Sequence, residues 1–187
     1  MKFLIFFFII FLYSKAVLAN VTHEIIKKLN ETENITFNFE QTTSEQSEIG
    51  KCFLVFSGNL KCIYEGDEKK EVLVRNNSLY IIKHKFKRSY RYPLKNSAFN
   101  IILDKKKLLE NLKLIDQSKI KQTSTDYFYE INTESGLIAK IFFDKKTNIL
   151  KGWETVSYNQ ETVKFKILEP LTNLKIEEEF KVPDYNF

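Results

Sequence analysis

Alternation of apolar and polar residues governs most of this chain. Ile35, Phe37 and Phe39 alternate with Thr36, Asn38 and Glu40, a period of two that predicts a strand with one buried face. Lys51 to Ser57 is a denser apolar strand, Gly58-Asn59 a turn, and Leu60 to Tyr64 the returning arm. Glu65-Gly66-Asp67 turns into Glu71 to Arg75, Asn76-Asn77 turns again, and Ser78 to Lys83 follows. Loops this short join adjacent antiparallel strands into a meander. A further strand ends over Tyr90 to Pro93. In the second half, strands are predicted at Leu114 to Ile120, Tyr127 to Thr133, Ala139 to Asp144, Ile149 to Tyr158, Glu161 to Leu168 and Leu174 to Phe180.

Helical spacing interrupts this pattern only briefly. Val21, Ile25, Ile26 and Leu29 share one face of a helix of about eleven residues, with Thr22 as its N-cap. Ser97 is placed to cap Ala98 to Leu103, and Lys106 to Leu112 is a further helical stretch. The expected class is therefore mainly β with short helices. Periodicity does not decide between a closed barrel and an open one.

The first residues read differently. Lys2 precedes the uncharged apolar run Phe3 to Tyr13, and Ala16-Val17-Leu18-Ala19 forms a small-residue exit. Residues 1–19 are thus expected to be a cleaved signal peptide, with Asn20 the mature N-terminus and 20–187 a single exported domain. The run is shorter than the roughly 20 residues that span a bilayer.

Composition narrows the function. Twenty-nine basic residues face 24 acidic ones, a formal charge of +5. Loss of Lys2 and Lys15 lowers it to about +3, too small a surplus to point to nucleic acid. Aromatics make up 14% of the chain, with 17 Phe, more ring area than a small sheet needs for its core and enough to line a cavity. The two histidines, His23 and His84, stand apart from any nucleophile or carboxylate pair, and five glycines form no phosphate-cradling loop, so neither catalysis nor a cofactor is expected. Cys52 and Cys62 lie ten residues apart, on two arms of a hairpin turning near Phe56 to Asn59. In an oxidising compartment they form a cross-strand disulfide, the alternative being two free thiols; no metal-ligand spacing accompanies them.

An ordered series of short marks resembles the periplasmic outer-membrane lipoprotein carriers, the LolA family. Phe39-Glu40-Gln41 looks like the family's F-x-Q, and Gly50 with Phe56-Ser57-Gly58-Asn59-Leu60 sits where the family has G followed by R-P-x-x-F. Val72-Leu73-Val74, Asn76-Asn77 and Leu79-Tyr80 resemble I-L-V-x-D-G followed by L-W. Ser97-Ala98-Phe99 resembles a T-P-F helix start, Asn159-Gln160-Glu161-Thr162 a G-Q-x-T turn, and Phe180-Lys181-Val182-Pro183 a terminal F-x-x-P.

The resemblance implies an unclosed antiparallel β-barrel whose helical lids cover a hydrophobic cavity for acyl chains. It implies acylated lipoproteins as cargo, an inner-membrane ABC transporter that loads the carrier and an outer-membrane receptor that unloads it. It places Cys52, Leu54, Phe56, Leu60, Cys62 and Tyr64 inward, and a disulfide would require both cysteines on one face. By the same logic Phe37, Phe39, Tyr80 and Ile82 belong to the concave face, with Leu29, Phe99, Ile102 and Leu103 as undersides of the lids. The family's lid-latching Arg and the Pro after it are Phe56 and Ser57 here, so a different group must latch the lid. A monomer is expected. The rival readings are a periplasmic lipid-binding sensor or interaction domain of the same half-barrel fold, and plain core packing for each cavity residue.

Overall fold

A computed structural model describes residues 21–96, 99–132, 138–156 and 161–185. The signal peptide, the Asn20 start, the Ser97 cap and the Asn159-Gln160 turn lie outside the described residues. Among the described residues eleven antiparallel strands form one sheet that does not close on itself. In chain order they are β1 (Asn34–Thr42), β2 (Ser47–Val55), β3 (Asn59–Tyr64), β4 (Lys70–Arg75), β5 (Ser78–Lys83), β6 (Arg88–Pro93), β7 (Lys121–Gln122), β8 (Asp126–Asn132), β9 (Ile138–Asp144), β10 (Leu150–Val156) and β11 (Thr162–Thr172).

The spatial order is β6-β5-β4-β3-β2-β1-β11-β10-β9-β8-β7. Two meanders are therefore stitched together where the first strand pairs with the last. Among the described residues three α-helices accompany the sheet: α1 over 21–31, α2 (Phe99–Ile102) and α3 (Lys105–Leu114). The fold is an open half-barrel.

Local chemistry sets these elements. Asn76 and Asn77 both adopt positive φ (50° and 57°), the geometry of a two-residue turn whose twist matches that of the strands it joins, and Asn tolerates it. Gly58 at φ 92° supplies the left-handed residue of the β2–β3 turn. Asp104 caps α3, its carboxylate accepting from the backbone N–H groups of Lys106 and Lys107. Gly50 is needed for space: a Cβ there would meet the Ile63 carbonyl oxygen at 2.1 Å and the Phe39 ring at 2.8 Å.

Two predicted strands are corrected. Leu114 to Ile120 is not a strand: Leu114 is 85% exposed, and Asp116 caps a 3-10 turn at Gln117–Lys119 by accepting from the Ser118 N–H. The strand that follows, Lys121–Gln122, is two residues long and pairs with β8. Leu174 to Phe180 is not a strand either. Residues 173–185 run without ladder pairing, as a strap across the convex face of β3, β4 and β5. Lys61 Nζ bonds Glu178 (2.9 Å) and the Glu179 carbonyl (3.3 Å), and Arg75 donates to the Phe180 carbonyl (2.9 Å). The Tyr185 hydroxyl lies 2.5 Å from Nδ1 of His84, whose Nε2 is 3.2 Å from Glu71. Strand-like alternation persists in the strap because Ile176, Glu178, Phe180 and Val182 are half-buried against the sheet. Period two reports one-sided burial, not hydrogen bonding.

Cys52 and Cys62 face each other in the β2–β3 register and are joined by a disulfide, their Cα atoms 4.1 Å apart. The bond fits an oxidising compartment.

Candidate functional site

The concave face of the half-barrel is apolar along both meanders. On one side β1 contributes Ile35, Phe37 and Phe39, β2 contributes Leu54, and β3 contributes Leu60 and Tyr64. On the other, Tyr129 and Ile131 of β8, Ile141 and Phe143 of β9, Trp153 of β10, and Phe165 and Ile167 of β11 face the same hollow. Aromatic rings form a continuous row across it. Tyr64 meets Phe39 edge-on at 4.8 Å, Phe39 stacks on Phe165 at 4.9 Å, Phe165 on Trp153 at 4.2 Å, and Trp153 meets Phe99 of α2 at 5.7 Å. Each such pair adds about 0.5–1.5 kcal/mol beyond simple burial.

The helices close this face from above. Val21, Ile25 and Leu29, four residues apart, line the underside of α1, and Ile102, Leu103, Leu108 and Leu112 bury the α2–α3 side. These side chains fill the hollow in the state seen here. At its far end a polar group shuts it. The Tyr64 hydroxyl donates to Gln41 (2.8 Å), Lys70 lies 3.8 Å from the Tyr64 ring centre, and Lys70 pairs with Glu48. Burial, helped by the Glu48 charge, pushes the Tyr64 hydroxyl pKa up. Burial alone does the same for Tyr129, whose hydroxyl has no hydrogen-bond partner among the described residues.

The lids are held by few polar contacts, and these converge at the near end. Lys105, at the start of α3, donates to the carbonyls of Asn30 and Thr32 at the end of α1, both at 2.9 Å. Its ammonium lies 5.9 Å from the centre of the Phe56 ring. Its position suits the partial negative charge of a helix C-terminus. Partial burial lowers its pKa. Ser57 forms an isolated bridge with Asp104, and the Phe56 N–H donates to the Glu33 carbonyl. A cation from the start of α3 thus lies between the Phe56 ring and the end of α1.

Beside this fastening opens a groove of about 690 Å³ between the β2–β3 and β4–β5 turns and the α2–α3 lid. Phe56, Leu94, Phe99, Leu103 and Leu109 supply its apolar wall, and Asn59, Asn76, Asn77 and Asn100, with the charged Asp104, Lys105, Lys106, Glu110 and Lys113, its polar one. Its size is that of a binding cleft, and its lining is more polar than apolar.

The structure brings Leu29, Phe37, Phe39, Leu54, Phe56, Leu60, Tyr64, Phe99, Ile102 and Leu103 into one cluster, together with Cys52 and Cys62. Tyr80 and Ile82 do not join it. Val74 pairs with Leu79 and Leu73 with Tyr80, so Leu79 and Ile81 take the concave parity, while Tyr80 and Ile82 share the convex face with Leu73. Leu73 and Ile82 are fully buried on that side, ringed by the strap's anchors Lys61, Arg75 and His84. Sequence reasoning left out the β8–β11 half of the hollow. The alternation of Tyr129 with Ile131, and of Phe165 with Ile167, was its available signal. Lys105 gave no such signal, being one of three consecutive lysines.

No family model matches the chain, and no curated protein matches it in sequence. Several solved structures are similar in fold. They include an uncharacterized conserved protein from Thermus thermophilus, with TM-score 0.48 and 5% identity, covering 85% of this chain and 89% of that one. A LolA superfamily protein from Nitrosomonas europaea has TM-score 0.42 and 7% identity, covering 86% and 97%. MucB from Pseudomonas aeruginosa, in its complex with MucA, has TM-score 0.44 and 8% identity; the match covers 89% of this chain and 61% of that one.

Proposed function

We propose that this chain is a non-enzymatic periplasmic carrier that shields the acyl chains of lipoproteins beneath α1, α2 and α3. In this reading it receives them from an inner-membrane transporter and delivers them to an outer-membrane receptor. The observation that carries the proposal is the continuous apolar concave face covered by helices that Lys105 ties together by hydrogen bonds, with the groove of about 690 Å³ opening beside that tie.

The energetics suit a carrier. Each CH₂ of an acyl chain removed from water contributes about 0.8 kcal/mol. Uncovering the lid side chains Ile25, Leu29, Ile102, Leu103, Leu108 and Leu112 costs a similar amount per unit area. Exchange of lid for cargo is then near balance, which allows both uptake and release. Cargo would enter by the groove, displace the lids and lie along the aromatic row. The Tyr129 hydroxyl would donate to an ester carbonyl that reaches it.

A second reading has its own support. The hollow is filled by the protein's own side chains, which suits a sensor or interaction domain that opens only on meeting lipid. A transfer assay separates the two. Residues 20–187 are incubated with a fluorescent diacylglyceryl peptide and then with acceptor vesicles. The carrier reading expects the peptide in the aqueous complex first and in the vesicles afterwards. Binding without transfer favours the sensor, and absence of any acyl binding ends both.

A further inference from the structure

Between Val72 and Leu103 the chain holds seven Lys and Arg residues and no Asp or Glu. The fold concentrates most of these cations on one margin of the sheet. β6 is an edge strand, every residue of it is exposed, and no strand flanks its outer side among the described residues. The opposite edge, β7, is only two residues long. Three of the cations are engaged locally. Lys83 pairs with Glu68 (2.8 Å), Arg75 bonds the strap, and Arg91 donates to Ser78 (3.0 Å). Lys85, Lys87, Arg88 and Lys95 form no ion pair among the described residues.

Large rings are interleaved with these charges. Phe86 is 49% exposed, Tyr90 42% and Tyr92 48%. Guarding an open edge against strand pairing explains cations there. It does not explain three exposed rings, which raise the tendency to associate. Rings that settle at headgroup depth, among cations that meet lipid phosphates, suit the surface of an anionic bilayer. A peptide strand would have to reach the edge backbone past these cations, whereas a lipid surface needs only the side chains.

We propose that the β6 margin, from Phe86 to Lys95, is a docking surface for a bilayer containing anionic phospholipid. This goes beyond acyl binding and does not require it. β6 runs directly into Leu94, which lines the groove, so docking edge-on holds the groove beside the lipid surface.

Vesicle co-sedimentation tests this with residues 20–187, which contain every described element and lack the apolar run Phe3 to Tyr13. The protein is expected to bind vesicles of equal parts phosphatidylglycerol and phosphatidylcholine at low salt and to ignore pure phosphatidylcholine. The triple variant Lys85→Gln, Lys87→Gln, Arg88→Gln should lower partitioning about 100-fold. Tyr90→Ser with Tyr92→Ser should weaken binding at low and high salt alike. All these residues lie at the exposed margin, and circular dichroism checks that the variants fold. Equal binding to neutral vesicles, or no loss in the triple variant, overturns the proposal. So does tight saturable binding of polyglutamate with no vesicle binding, which would identify an acidic protein as the partner. Acyl-probe binding, read on the same samples, reports the carrier proposal separately, so either can fail alone.

Discussion

Lys105 holds its ammonium 5.9 Å from the centre of the Phe56 ring while donating to the carbonyls of Asn30 and Thr32. One side chain thus ties α3, the end of α1 and the β2–β3 turn. Its apolar neighbours Leu103 and Leu108 are buried by packing, which is non-directional, whereas the Lys105 hydrogen bonds fix where α3 sits against the end of α1.

Lys105→Met keeps the stem and removes the donor. Stability should fall by about 1–2 kcal/mol in urea denaturation. Hydrogen exchange at amides of α1 and α3 should quicken while β1 and β11 stay protected. Equal acceleration in the central strands would show that Lys105 supports the fold at large and not the lid.

Tyr129→Phe removes a buried hydroxyl without a partner among the described residues. Thermal melts of the unliganded protein should show no loss, or a gain of up to about 1 kcal/mol. If the hydroxyl meets cargo esters, affinity for a diacylglyceryl peptide should drop about fivefold, with a plain alkyl probe unaffected. An equal loss for both probes would remove the ester contact.

Deleting residues 174–187 should uncover Leu73 and Ile82 and lower stability by about 3–5 kcal/mol. The concave face is formed by other residues, so acyl-probe affinity should persist under conditions where the shortened chain stays folded. Unchanged stability would mean that the strap is not what buries those two side chains.

Acid should loosen the β9–β10 turn. Burial pushes the Asp144 carboxyl up, but hydrogen bonds from Thr147 and Lys146 and the charge of Lys151 outweigh it and hold the pKa below the usual value. A depressed carboxyl contributes stability above its unfolded pKa, near 3.9, and loses it as pH falls through the folded one. Faster exchange at the Lys146, Thr147 and Asn148 amides below about pH 4 is expected. The same change already present at pH 7 in Asp144→Asn would confirm the cause; an Asn variant with unaltered exchange would contradict it.

Where one face of a strand is buried and the other wet, alternation in the sequence was a faithful guide. Ile35, Phe37 and Phe39 show it, and the ten-residue separation of Cys52 and Cys62 matched a tight hairpin register. β5 defeated the same logic. Leu79, Tyr80, Ile81 and Ile82 are consecutive apolar residues, so both parities look inward and neither marks the hollow. The reason is the strap, which covers the convex side of β5 from about a hundred residues away in the chain.

Taken alone, then, the amino-acid order determined most of the strands, the short helices and the hairpin partner of each cysteine. All of these depend on neighbours a few residues apart. Only the tertiary structure decided that the sheet stays open, that the lid's own lysine fastens it, and that Tyr80 and Ile82 face the strap. Those outcomes depend on which distant segment covers which face, and burial by a distant segment leaves the same apolar residue in the sequence whichever segment supplies it.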